Sequence, residues 1–155
     1  MAAVLAPDPE SFEPVPPERA ALWRNFGQWE QPLFPQLVGL QIEEIRRDYC
    51  RMRLPYRPEL NQPAGVVHGG AIATLIDTVV VPAVASAHDL IPDMLTLSMS
   101  VQYLGAIVGE DAVGEGWITR RGRSVAFCES LVRTAAGAIA ATGQLVYKVR
   151  EATPR

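Results

Sequence analysis

At 155 residues the chain has room for one domain, and 48% hydrophobic against 20% charged residues is the composition of an ordinary globular core. A core in a chain of that length buries roughly 68 to 70% of the unfolded surface, which excludes a disordered chain and a disulfide scaffold. With 14 Lys+Arg against 17 Asp+Glu the net charge is -3, so no global positive field favours nucleic acid or an anionic membrane as a partner.

Residues 1–17 carry prolines at 7, 9, 14, 16 and 17 among Ala, Glu and Asp. Such a composition does not offset its own ordering entropy, and it predicts a flexible tail. No Lys or Arg precedes Arg19 and there is no sustained apolar run, which argues against a secretory signal and for a cytoplasmic protein. Pro17 and Glu18, followed by Leu22, Phe26 and Trp29 at helical spacing, predict a short amphipathic helix ending before Pro32, within a helical extension over residues 18–36. Trp23 and Trp29 read as packing anchors. Val38, Leu40 and Ile42, then Met52, Leu54 and Tyr56, alternate with period two and predict two strands.

Residues 58–70 form a Pro- and Gly-rich loop leading into an apolar helix over about 71–87. Thr74, Asp77, Thr78 and Ser86 interrupt it, and it is too short to span a bilayer. A strand follows at about 95–104, with Thr96, Ser98 and Ser100 on one face. Further strands are predicted at about 111–120, 123–134 and 138–149, separated by short turns. This order defines an α+β fold, with an antiparallel sheet of about six strands over residues 37–150 packed on one long helix. Cys50 and Cys128 belong to no C-x-x-C pair and read as reduced packing residues.

Counting removes several reaction centres. Two histidines, His68 and His88, with no paired cysteines leave a protein-built zinc site without ligands. No G-x-S-x-G elbow, Walker A loop or G-x-G-x-x-G motif is present. What remains is residues 61–77, Asn-Gln-Pro-Ala-Gly-Val-Val-His-Gly-Gly-Ala-Ile-Ala-Thr-Leu-Ile-Asp. Gly69 and Gly70 before an apolar helix either leave helix N–H groups free for a developing oxyanion or merely permit tight packing. Asp77 is the one charged residue between His68 and His88. Such a carboxylate is costly to bury, so it either meets a structural partner or serves as base or nucleophile. Eight residues separate it from Gly69, about 12 Å along a helix, so one chain does not easily complete a site. A C2 dimer with antiparallel helices would form two composite sites, each with one chain's glycines and the other's Asp77.

Asn61, Gly65, His68-Gly69-Gly70, Asp77, Thr96 to Leu104 and Gly109 to Asp111, in that order, resemble the hotdog-fold acyl-CoA thioesterases of the phenylacetyl-CoA thioesterase-like branch. The resemblance spans about residues 37–149 and implies a sheet wrapped around the long helix, dimers that commonly pair into tetramers, and hydrolysis of acyl-CoA with neither metal nor cofactor. It implies that the Gly69 N–H polarises the thioester carbonyl while Gly70 supports the turn. Asp77 of the partner subunit would act as base or nucleophile, Asn61 would orient thioester or water, and Thr96 would hold the water. His68 either shapes the loop or takes a further part in the site.

Arg120, Arg121 and Arg123 form either a solvated hairpin turn or a contact to CoA phosphates. A pocket lined by Val79, Val80 and Ala83 would be apolar. His88 would cap the helix C-terminus. Three features depart from the family pattern: Pro82 inside the helix, which should kink it; Gly105-Ala106 in place of a basic residue and proline; and the extension before residue 37. A non-catalytic acyl-CoA binder and a hotdog hydratase or dehydratase are the competing functions.

Overall fold

A computed structural model describes residues 5–152. Its helices are α1 (Pro17–Ala21), α2 (Phe34–Val38) and α3 (Gly69–Ala85). Its strands are β1 (Gln41–Arg46), β2 (Tyr49–Leu54), β3 (Asp93–Tyr103), β4 (Ala112–Arg121), β5 (Val125–Thr134) and β6 (Ile139–Arg150). The strands form one antiparallel sheet in the order β1-β2-β4-β5-β6-β3, so β3, third in chain order, ends up on the far edge beside β6. The α+β architecture of about six strands on one long helix is therefore as expected. No helix among the described residues is long and apolar enough to cross a membrane.

The core lies between α3 and the inner sheet face, where Cys50, Met52 and Leu54 of β2 alternate with outward Tyr49, Arg51 and Arg53. Ile72, Leu75, Ile76, Val79, Val80 and Val84 of α3 are buried against them, each worth about 1.5–3 kcal/mol relative to exposure. The helix sits close because the strands beneath it carry glycines. A Cβ on Gly114 would approach a Leu75 side-chain atom to 2.8 Å, and one on Gly143 would approach Ile76 to 2.4 Å. Both cysteines are free and buried in this layer, which pushes the Cys128 thiol up to about 12 and raises Cys50 as well.

Several local expectations are corrected. The helix expected to run to Pro32 stops at Ala21, because isolated short helices are marginal and Gly27 turns the chain with φ 75. Trp23, Phe26 and Trp29 instead form an aromatic cluster in which Phe26 and Trp29 meet edge to face at 5.2 Å. Val38 ends α2, with Gly39 in the left-handed conformation as its cap, and the first strand opens at Gln41. Tyr56 falls beyond β2.

The expected tail is docked over residues 5–16, while residues 1–4 lie outside the described residues. Phe12 stacks on Tyr49 with ring centroids 5.1 Å apart, Arg47 N–H donates to Glu13 O at 2.8 Å, and Arg46 pairs with Glu10. This segment covers Tyr49, Trp117 and Leu131 on the outer sheet face. Here the hydrophobic outer residues, invisible to a composition argument about the tail, supply what the prolines lack. α3 remains helical through Pro82 to Ala85.

Candidate active site

Two groups of residues gather at different points along α3. At its N-terminus His68 is the N-cap, with extended backbone at ψ 135, and its Nδ1 accepts from the Gly70 N–H at 2.8 Å. That bond leaves the proton of a neutral ring on Nε2. His68 thus shapes the turn, one of the two roles open to it. The Ala71 and Ile72 N–H groups are taken by His68 O, whereas the Gly69 N–H has no acceptor among the described residues. Gly69 O accepts from the Tyr103 hydroxyl at 2.8 Å, and a Cβ on Gly69 would come within 3.2 Å of the Tyr103 ring. The glycine pair therefore serves close packing and leaves one helix N–H free.

Asn61 joins this group because the chain pairs Asn61 with Val67 in an isolated bridge and His68 N–H donates to Leu60 O at 2.8 Å. Its Nδ2 donates to the Tyr56 hydroxyl at 3.0 Å, while its buried Oδ1 has no partner among the described residues.

Two turns further along, Asp77 Oδ1 accepts from the Thr96 hydroxyl at 2.9 Å and from the Tyr147 hydroxyl at 2.5 Å. Thr96 arrives through a bulge. It pairs with Tyr147, whereas Ser98 pairs with Val146, so Leu97 is the extra residue and Thr96 and Ser98 point to opposite faces. The expected common face for Thr96, Ser98 and Ser100 is therefore wrong for Thr96, which turns inward toward α3. Tyr147 was not among the residues singled out from sequence. The signal that could have found it is chemical: a tyrosine on the core face of a strand must place its hydroxyl. Its phenol is held above its ordinary value, first by burial and then by the bond to Asp77.

The two groups are about 12 Å apart along α3, so a single chain does not join them. Among the described residues no three His, Cys, Asp or Glu side chains gather to hold a metal ion.

Of the substrate-contact candidates, two are corrected. Val80 is completely buried and faces Gly116 of β4, where an added Cβ would lie 2.8 Å from its Cγ1, so it has no surface for a ligand. Arg121 is turned inward by a second bulge, between Ile118 and Arg120. There it pairs with Asp48 and donates to Val84 O near the end of α3 at 3.0 Å. Its guanidinium is committed to the fold. Arg120 and Arg123 are exposed and make no ion pair among the described residues. His88 lies beyond the helix end at 3.4 Å from Arg121 Nη1, and burial, followed by that cation, lowers its pKa.

Residues 64–141 match the model of the Thioesterase superfamily. A Halobacterium salinarum protein named "Putative esterase" is 34% identical over 104 residues, covering 64% of this chain and 68% of the relative. Among solved structures, a conserved protein from Pseudomonas aeruginosa superposes with a TM-score of 0.72 at 26% identity, covering 77% of this chain and 94% of that one. The E. coli PaaI protein, from the phenylacetic acid degradation operon, shares the fold with a TM-score of 0.73 at 12% identity, over 88% of this chain and 93% of its own. The chain belongs to the Thioesterase superfamily and has its hotdog fold. Its class is that of the thioester and ester hydrolases.

Proposed function

We propose that the chain hydrolyses acyl-CoA thioesters to the free acid and CoA. The observation that carries this reading is Asp77, a carboxylate on the central helix gripped on one oxygen by Thr96 and Tyr147, with an unclaimed Gly69 N–H at the start of the same helix. A carboxylate so held is suited to act as base or nucleophile, and a free helix N–H is suited to a developing oxyanion.

The axial separation of about 12 Å supports a dimer in which Gly69 of one chain faces Asp77 of the other. β3 fits such an assembly, since it is an edge strand whose Leu95, Leu97, Met99 and Tyr103 are exposed. In this reading Asn61 orients the thioester, His68 and Gly70 hold the turn, and the exposed Arg120 and Arg123 meet CoA phosphates. Since His68 Nδ1 is occupied by the turn, a dehydratase role for that histidine has less support.

The test is thiol release from a panel of aryl, short and long acyl-CoAs. Wild type should release CoA from at least one, and Asp77→Asn should lower the rate about 10²–10⁴-fold. Binding of acyl-CoA by the wild type with no release from any member would make the chain a binder and end this reading.

A further inference from the structure

We propose that Tyr147 is a positioning residue for Asp77: together with Thr96 it pins Oδ1 and leaves Oδ2 as the oxygen that faces water or substrate. This rests on the reading of Asp77 given above and deepens it. The geometry is specific. Oδ1 receives both hydroxyls, at 2.9 Å from Thr96 and 2.5 Å from Tyr147. Oδ2 has no partner among the described residues and is not a buried orphan. The carboxylate is thereby asymmetric before any ligand arrives.

Tyr147 also lies 2.8 Å from the Asp77 main-chain oxygen, but a hydroxyl has one proton. The carboxylate oxygen is nearer and charged, so it takes the proton and the main-chain oxygen stays with the helix ladder. Rigidity comes from the sheet. Thr96 and Tyr147 are register partners across β3 and β6, and the bulge at Leu97 aims the threonine inward beside the tyrosine. Tyr147 is only 3% exposed, so its ring cannot swing away.

The groups facing Asp77 do not compete for the role. Tyr147 from β6 is neutral, kept so by burial. Cys128 of β5, which stands near Tyr147, is likewise a neutral thiol. β3 contributes the Thr96 hydroxyl, and α3 itself has no other charged residue. Two donors on one oxygen hold the plane of the carboxylate, so removing either should let it rotate and turn Oδ2 out of its fixed direction.

The experiment compares wild type, Tyr147→Phe, Thr96→Val and Asp77→Asn in two readouts: kcat and KM on the best acyl-CoA of the panel, and the orientation of the Asp77 carboxylate in crystal structures of the variants that keep it. Tyr147→Phe keeps the buried ring and should lower kcat about tenfold with KM nearly unchanged, while the Asp77 carboxylate turns from its wild-type orientation. Thr96→Val should lower kcat in the same way, and Thr96→Ser should restore it, which keeps the proposal testable if Tyr147→Phe does not fold. A wild-type kcat in Tyr147→Phe, or a lowered kcat with the carboxylate still in its wild-type orientation, would make Tyr147 a packing residue and overturn the proposal. Full activity in Asp77→Asn would instead remove the catalytic reading, and the carboxylate orientation in Tyr147→Phe would still decide whether Tyr147 holds it.

Discussion

Ile76 of α3 rests directly on Gly143 of β6, where an added Cβ would lie 2.4 Å from Ile76 Cγ2 and 2.7 Å from Ser130 Oγ. The contact fixes the height of the helix that carries Asp77 over the sheet that carries Tyr147. Gly143→Ala should overpack this point and lower stability by about 1–3 kcal/mol, read as a fall in the urea midpoint. An unchanged midpoint would mean that the helix can lift without cost.

The cations around Gly122 should separate by role. Arg121→Ala removes the partner of Asp48 and a donor to Val84 O, and should cost about 1–3 kcal/mol of stability with KM for acyl-CoA unchanged. Arg123→Glu should do the opposite, raising KM for acyl-CoA roughly tenfold while sparing short thioesters that lack the nucleotide. Steady-state kinetics on both substrate types, with denaturation of both variants, checks the pair. Equal effects of Arg123→Glu on the two substrates would remove it from CoA binding.

The element order and the glycine-to-aspartate spacing were legible because they depend on long apolar runs and on one charged residue in an apolar helix. The inward turn of Thr96 was not, since one extra residue at Leu97 reverses a face and period two alone cannot mark which residue is extra. The same limit hid Arg121, which local charge grouped with Arg120 and Arg123 until the bulge before Arg120 turned it toward Asp48. Val80 illustrates a different limit. Helical spacing places it on α3, but only the glycine floor of β4 shows that it faces the sheet. The docked segment around Phe12 depends on Tyr49, far along the chain, so its own composition carried no sign of it.

His88 should give the fold a pH dependence. Burial, followed by Arg121, lowers its pKa from 6.5, so the unfolded chain takes up this proton before the folded one does. Between those two values the unfolded state binds more protons, and stability therefore falls as pH drops through 6.5 toward the folded value. Urea midpoints at about pH 7.5 and about pH 5.5 should differ less in His88→Gln than in wild type. An identical difference in both would assign the acid sensitivity elsewhere.

The composite site is tested most directly by subunit complementation. Gly69→Pro removes the free N–H at a first helical position, after a residue whose ψ of 135 suits proline, with the Tyr103 ring giving way by a few tenths of an ångström to the added Cβ. Homodimers of Gly69→Pro and of Asp77→Asn should each be nearly inactive. A hybrid of the two, isolated through different tags on its chains, keeps one site with wild-type Gly69 and wild-type Asp77. It should release thiol from acyl-CoA at about half the wild-type rate per dimer. A purified hybrid as inactive as its parents would contradict a site shared between subunits.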